Sequence, residues 1–106
     1  MGKRRVVITG LGCVTALAES PDALFEALCE GRSGVSTITT FDTTEYPVTI
    51  GGEIRDFDIA RYISSRDAKR MDRFTQMAMA SSIQAVQNSG LDFSHEDPRR
   101  AVSYTH

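Results

Sequence analysis

Arg66, Lys69, Arg70 and Arg73 fall within two helical turns of one another. On a helix, positions three, four and seven residues after Arg66 lie on one side, so this spacing gathers four cations onto one face. Such a cluster carries no nucleophile and no base. Its chemistry is recognition: guanidinium and ammonium groups bind carboxylates or phosphates of an acidic partner through charge-assisted hydrogen bonds. The plainer alternative is a solvated face partly paired with Asp67 and Asp72. Other reactive residues are sparse. Cys13 and Cys29 lie in apolar surroundings, and the two histidines, His95 and His106, lie in an acidic loop and at the last position. A nucleophilic thiol needs a nearby base and an electropositive niche, so both cysteines read as packed thiols. Two Cys and two His without ligand spacing do not make a metal site. Gly10-Leu11-Gly12 follows an apolar run, but a dinucleotide fingerprint would place a third glycine at position 15, which is Thr15. The following helix also begins too late to aim its N-terminus at a pyrophosphate. The glycines therefore read as a tight turn beneath a buried strand.

The element that must position the basic cluster is Ser64 to Gly90. From Phe74 to Leu91 it has no charged side chain, in a chain that is 25% charged. This predicts a helix buried on most of its circumference with a basic knuckle at its entrance. Ser64 caps the start, with Asp67 three residues on as in a capping box. The stretch divides into a short amphipathic turn, 66–71, and a long helix that Gly90 ends as a C′ residue. Small residues at 78, 80, 81, 82 and 85 would let neighbouring backbones approach closely.

Upstream, Arg4 to Thr9 reads as a strand, since three consecutive β-branched residues suit a strand covered on both faces. A loop over 10–19 leads to a well-punctuated helix. Ser20 is its N-cap, Pro21 its first residue, Asp22 complements the positive end, and Gly31 stops it. Ala23, Leu24, Ala27 and Leu28 form its apolar stripe. Residues 32–49 read as a Ser/Thr-rich surface excursion, 49–54 as a weak strand, and 57–63 as a short helical turn. Leu91 to Pro98 is an acidic loop, and Ala101 and Val102 begin a strand that does not continue.

The chain holds about one small domain's worth of residues. Its net charge of -2 argues against nucleic acid or an anionic membrane as a general partner. Polar residues interrupt the uncharged stretch, so it is not transmembrane. The N-terminal apolar run is too short for a signal peptide, and Val6 fails the myristoylation pattern. Without a multi-Cys framework, the expected location is cytoplasmic.

Several segments together resemble a family: RRVVITGLGCVT at 4–15, LFEALCEGRSGVSTITTFDTTEYPV at 24–48, GGEIRDFD at 51–58 and DAKRMDRFTQMAMASSIQAVQNSGLDF at 67–93. They resemble the N-terminal part of bacterial β-ketoacyl-acyl-carrier-protein synthases of the type II class, over residues 3–100. The resemblance implies an α/β partial thiolase-like fold, the first part of the N-terminal half of an αβαβα sandwich, with the 106 residues forming an incomplete synthase domain. It implies a parent activity, decarboxylative condensation of malonyl- with acyl-carrier protein in fatty-acid elongation, by homodimers that need no cofactor and no metal. It places Arg66, Lys69 and Arg70 on the surface that meets the acidic acyl carrier protein. The family's catalytic cysteine and histidines lie downstream and match neither Cys13 and Cys29 nor His95 and His106. The chain alone is therefore expected to be a catalytically inactive, truncated portion, with similarity ending at Val102. Two other readings remain: a small interaction module that binds an acidic partner through its basic helix, and a nucleotide-binding α/β domain.

Overall fold

The computed structural model describes residues 2–101. Three helices and one two-stranded sheet follow in the order α1 (Pro21–Cys29), β1 (Val35–Thr37), β2 (Ile50–Gly52), α2 (Ser65–Ala68) and α3 (Arg73–Ser89), with single 3-10 turns at Ile59–Arg61, Phe93–His95 and Pro98–Arg100.

Helix α1 forms where its punctuation places it. Ser20 Oγ accepts a hydrogen bond from the Ala23 N–H at 3.3 Å, and Pro21 opens the helix. At the other end Gly31 takes φ 72. The Arg32 N–H reaches the Ala27 carbonyl (2.9 Å) and the Gly31 N–H the Leu28 carbonyl (3.1 Å), which is a Schellman motif. Of the expected apolar stripe only Ala27 is buried; Leu28 and the adjacent Phe25 stay exposed.

The Ser/Thr-rich excursion holds the first strand and the loop of a hairpin. β1 and β2 pair antiparallel with Val35 opposite Gly52, Ser36 opposite Gly51 and Thr37 opposite Ile50. Strands of three residues are marginal, and a carboxylate secures them. The Glu53 side chain is 8% exposed and ion-pairs with Arg55 at 2.7 Å. It also accepts the N–H groups of Thr39 and Thr40, both at 2.9 Å, and their hydroxyls at 3.1 and 2.7 Å. The Arg55 guanidinium and these donors hold the Glu53 carboxyl far below the usual carboxylate range. A depressed folded-state pKa means stability that is present above the unfolded value and lost as pH falls towards the folded one. Protection of the Thr39 and Thr40 amides should therefore hold at neutral pH and decline below about 4.5, the ordinary glutamate value. Glu53→Gln should speed exchange at both amides roughly tenfold at neutral pH, on the scale of one or two lost hydrogen bonds. Exchange unchanged in the variant would show that the hairpin does not depend on this clamp.

Residues 2–9 form no strand, contrary to the sequence expectation. Val6, Val7 and Ile8 are 94, 66 and 82% exposed. A strand is defined by its pairing, and no other segment among the described residues pairs with this one. From Gly10 the chain lies along α3. A Cβ on Gly10 would overlap the Ala85 carbonyl oxygen and sit 2.7 Å from the Ser89 nitrogen; one on Gly12 would overlap the Ser81 carbonyl oxygen and sit 2.8 Å from the Ala85 nitrogen. Neither glycine has a positive φ. They serve close approach between backbones and do not form the expected tight turn. Ser81, Ala85 and Ser89 supply the small facing stripe on α3. The Ser81 and Ser89 hydroxyls fold back onto the carbonyls of Met77 and Val86 (2.9 and 2.7 Å), which satisfies them without an outside partner.

Helix α3 ends at Gly90 with φ 67, as its sequence predicts. It is not buried on most of its circumference. Ala80 alone is fully buried, and Phe74 is 73% exposed. Among the described residues α3 meets the 10–13 segment, Glu19, the 57–63 turn and the turn after α2, and these leave much of its circumference open. The radius of gyration, 17.7 Å, exceeds the value of about 13 Å for a closed domain of 100 residues. No helix among the described residues is long and apolar enough to cross a membrane. The expected strand start at Ala101–Val102 runs into positions outside the described residues.

Candidate functional site

The basic knuckle is built on α2. Ser64 Oγ accepts the Asp67 N–H at 3.2 Å and donates to the Asp67 carboxylate at 2.8 Å, so the cap forms and occupies Asp67. Ala68 is 7% exposed and anchors the helix inward. The chain then winds on through Lys69 to Met71, with the Arg70 N–H on the Asp67 carbonyl (3.0 Å) and the Met71 N–H on the Ala68 carbonyl (3.1 Å). Arg66 on α2, and Lys69 and Arg70 in the turn that follows it, are all exposed. Among the described residues none of the three pairs with a carboxylate within 4.0 Å. The expected partial pairing with Asp67 and Asp72 is therefore not seen.

Arg73 departs from the expected four-cation face. The helix breaks at Asp72, and Arg73 starts α3. Its guanidinium lies 4.8 Å from the centroid of the Phe57 ring, and Nη2 donates to the Phe57 carbonyl at 3.1 Å. This charge is used within the fold. The structure thus separates the cluster into three outward cations and one tether. What the three can do chemically is attract and orient an anionic surface.

The other candidates resolve differently. Cys29 is exposed, not packed as expected, because the apolar face of α1 is largely uncovered. Cys13 is half-buried, and burial pushes its thiol up from the ordinary value; this is opposite to what a nucleophile needs. His95 is exposed and lies 3.5 Å from Asp92; His106 lies outside the described residues. Among the described residues no three His, Cys, Asp or Glu side chains cluster as metal ligands. The space over Gly10 and Gly12 is filled by the α3 backbone, and Thr15 Oγ1 is engaged by the Leu17 and Ala18 N–H groups. These residues do not form a phosphate-binding loop.

Sequence reasoning passed over the two glutamines that hold the site. Gln84 Oε1 accepts the Cys13 N–H at 3.0 Å, while its Nε2 donates to the Glu19 carbonyl at 2.6 Å and to the Tyr62 hydroxyl at 2.9 Å. Asn88, one turn on, accepts the Leu11 N–H at 3.1 Å. Gln76 Nε2 donates to the carbonyls of Ala68 (3.0 Å) and Met71 (3.4 Å). Their signal is visible afterwards: amides at helical spacing, in a stretch otherwise free of large polar groups.

Comparison with known proteins shows the family and the fold to which these elements belong. A family model described as the N-terminal domain of β-ketoacyl synthase matches residues 3–105, past Val102, the expected end of the resemblance. The chain is 40% identical over 100 residues to 3-oxoacyl-[acyl-carrier-protein] synthase 2 of Vibrio harveyi, covering 94% of this chain and 24% of that protein. It is 43% identical over 104 residues to the protein of the same name from Coxiella burnetii, covering 97% and 25% respectively. Among solved structures, the ishigamide ketosynthase/chain length factor superposes with a TM-score of 0.77 at 33% identity, over 88% of this chain and 23% of that one. The chain thus spans about a quarter of the length of these relatives, and its α/β architecture is part of the thiolase-like ketosynthase fold. By family match, sequence identity and fold alike, this chain belongs to the β-ketoacyl synthase family, in its N-terminal domain.

Proposed function

We propose that these 106 residues are the opening part of the N-terminal half of a condensing enzyme. In this reading the whole enzyme joins a malonyl to an acyl group, each carried on acyl carrier protein, with loss of carbon dioxide. Arg66, Lys69 and Arg70 form part of the surface that receives the acidic carrier. The whole enzyme is a cytoplasmic homodimer. The observation that supports the docking role is a cationic triad on the capped helix α2 and the turn that follows it, exposed and without a carboxylate partner among the described residues, in a chain whose net charge is -2. Cations held together against mutual repulsion and left available match what steering of an acidic partner requires. The test is titration of the chain with acyl carrier protein at several salt concentrations. Reversing Arg66, Lys69 and Arg70 to Glu should weaken binding by about tenfold or more at low salt and flatten its salt dependence. Unchanged binding, or no binding by the unmodified chain, would remove the docking reading.

A further inference from the structure

We infer that Arg73 and Gln76 are positioning residues that fix the geometry of the cationic triad; the inference rests on the docking reading above. A helix of four residues cannot hold itself together, and α2 has only Ser65–Ala68. Lys69 and Arg70 lie beyond it, in the turn that leads to α3. The carbonyls that bracket these two residues, Ala68 and Met71, are both bound by one side-chain nitrogen, Gln76 Nε2, at 3.0 and 3.4 Å. Gln76 belongs to the first turn of α3, so the long helix grips the short one by its backbone on either side of the two cations. The amide is itself oriented, since Arg73 Nη1 lies 3.5 Å from Gln76 Oε1. Arg73 is in turn fixed on Phe57 by its hydrogen bond to the carbonyl and its stacking on the ring. Phe57 is 6% exposed and packs against the Tyr62 ring at 6.3 Å between centroids. Tyr62 is bound by Gln84 at 2.9 Å. A continuous run of contacts therefore ties the turn carrying Lys69 and Arg70 to the middle of α3. A docking surface ordered before its partner arrives loses less conformational freedom on binding.

The variants Arg73→Lys and Gln76→Ala separate positioning from charge. Arg73→Lys keeps the positive charge but loses the planar fork that both bonds the Phe57 carbonyl and stacks on its ring. Gln76→Ala changes no charge at all. Each should lower the affinity of the chain for acyl carrier protein about three- to tenfold, with the slope of binding against salt unchanged. Each should also speed amide exchange at Arg70 and Met71 while leaving α1 as it was. Reversal of the triad, by contrast, should change the slope. Wild-type affinity in both variants would overturn the inference. So would a salt slope in Arg73→Lys altered as strongly as by triad reversal, which would put Arg73 on the docking face. Exchange throughout α3 at unfolded-chain rates in both variants would make these residues determinants of folding and not of docking geometry, and would overturn it as well. If triad reversal leaves binding intact, the docking reading falls and this inference with it.

Discussion

Gly12→Ala is expected to unseat the N-terminal segment from α3 and to lower the free energy of unfolding by about 3 kcal/mol, the upper range for overpacking. The added methyl would lie 2.8 Å from the Ala85 nitrogen and 2.9 Å from Gln84 Cβ, and would overlap the Ser81 carbonyl oxygen. Two of these neighbours are helix backbone, which cannot turn aside as a long side chain does. The segment would have to lift, and the Leu11 and Cys13 N–H groups would then lose Asn88 and Gln84. Gly10→Ala should behave in the same way, with the Ser89 nitrogen at 2.7 Å. Gly31→Ala provides the contrast. Gly31 has φ 72 but nothing within 4 Å of a Cβ, so its variant meets only the left-handed backbone penalty of about 1–2 kcal/mol. Urea unfolding gives the order of the three variants, and amide exchange at Leu11 and Cys13 gives the site of the damage. A Gly12 variant no less stable than the Gly31 variant would refute the close-approach account.

The same contrast shows what was legible in the sequence. Gly31 and Gly90 announce themselves, because ending a helix in the left-handed region is a local requirement that needs no other part of the chain. Ser20 and Ser64 are readable for the same reason: a cap is complete within four residues. The split of the central stretch into α2 and α3, the weak strand at 50–52 and the turn near residue 60 follow equally from local pattern. Gly10 and Gly12 cannot be read this way. Their purpose lies on a helix some 70 residues further on, and a glycine spaced for close contact looks like one spaced for a turn. The expected strand at Arg4–Thr9 failed for a related reason. Three β-branched residues record a preference, and pairing requires a partner that the described residues do not include. Arg66, Lys69 and Arg70 were legible as a cluster because their spacing is local. The separate role of Arg73 was not, since Phe57 joins it only through the fold. The family resemblance outweighs these local misreadings because it depends on the order and spacing of whole segments, and the match of residues 3–105 bears it out.

Gln84 is the second position at which a single change should be costly. One amide serves the Cys13 N–H, the Glu19 carbonyl and the Tyr62 hydroxyl, which belong to three separate parts of the chain. Gln84→Ala removes all three bonds and leaves part-buried groups unmatched, at about 1 kcal/mol each and about 3 kcal/mol together. Gln84→Glu is the more instructive variant. It keeps an oxygen for the Cys13 N–H, and the Tyr62 hydroxyl can turn to donate. The Glu19 carbonyl, however, would then face a carboxylate oxygen where it now faces a donor. Only the protonated acid can restore that bond, so the fold favours the protonated form and the new carboxyl should titrate above the ordinary range for Glu. For a carboxyl raised in this way, the restored stability is complete below the unfolded pKa of about 4.3 and is lost as pH rises through the folded value. Relative to the parent chain, Gln84→Glu should therefore be much weaker at neutral pH and recover as the solution is acidified, whereas Gln84→Ala should show a deficit independent of pH. Urea unfolding of the three proteins across that range decides the matter. Parallel pH profiles for the Glu and Ala variants would mean that the Glu19 carbonyl is not held by this amide, and the link between the 13–19 loop and α3 would have to be sought elsewhere.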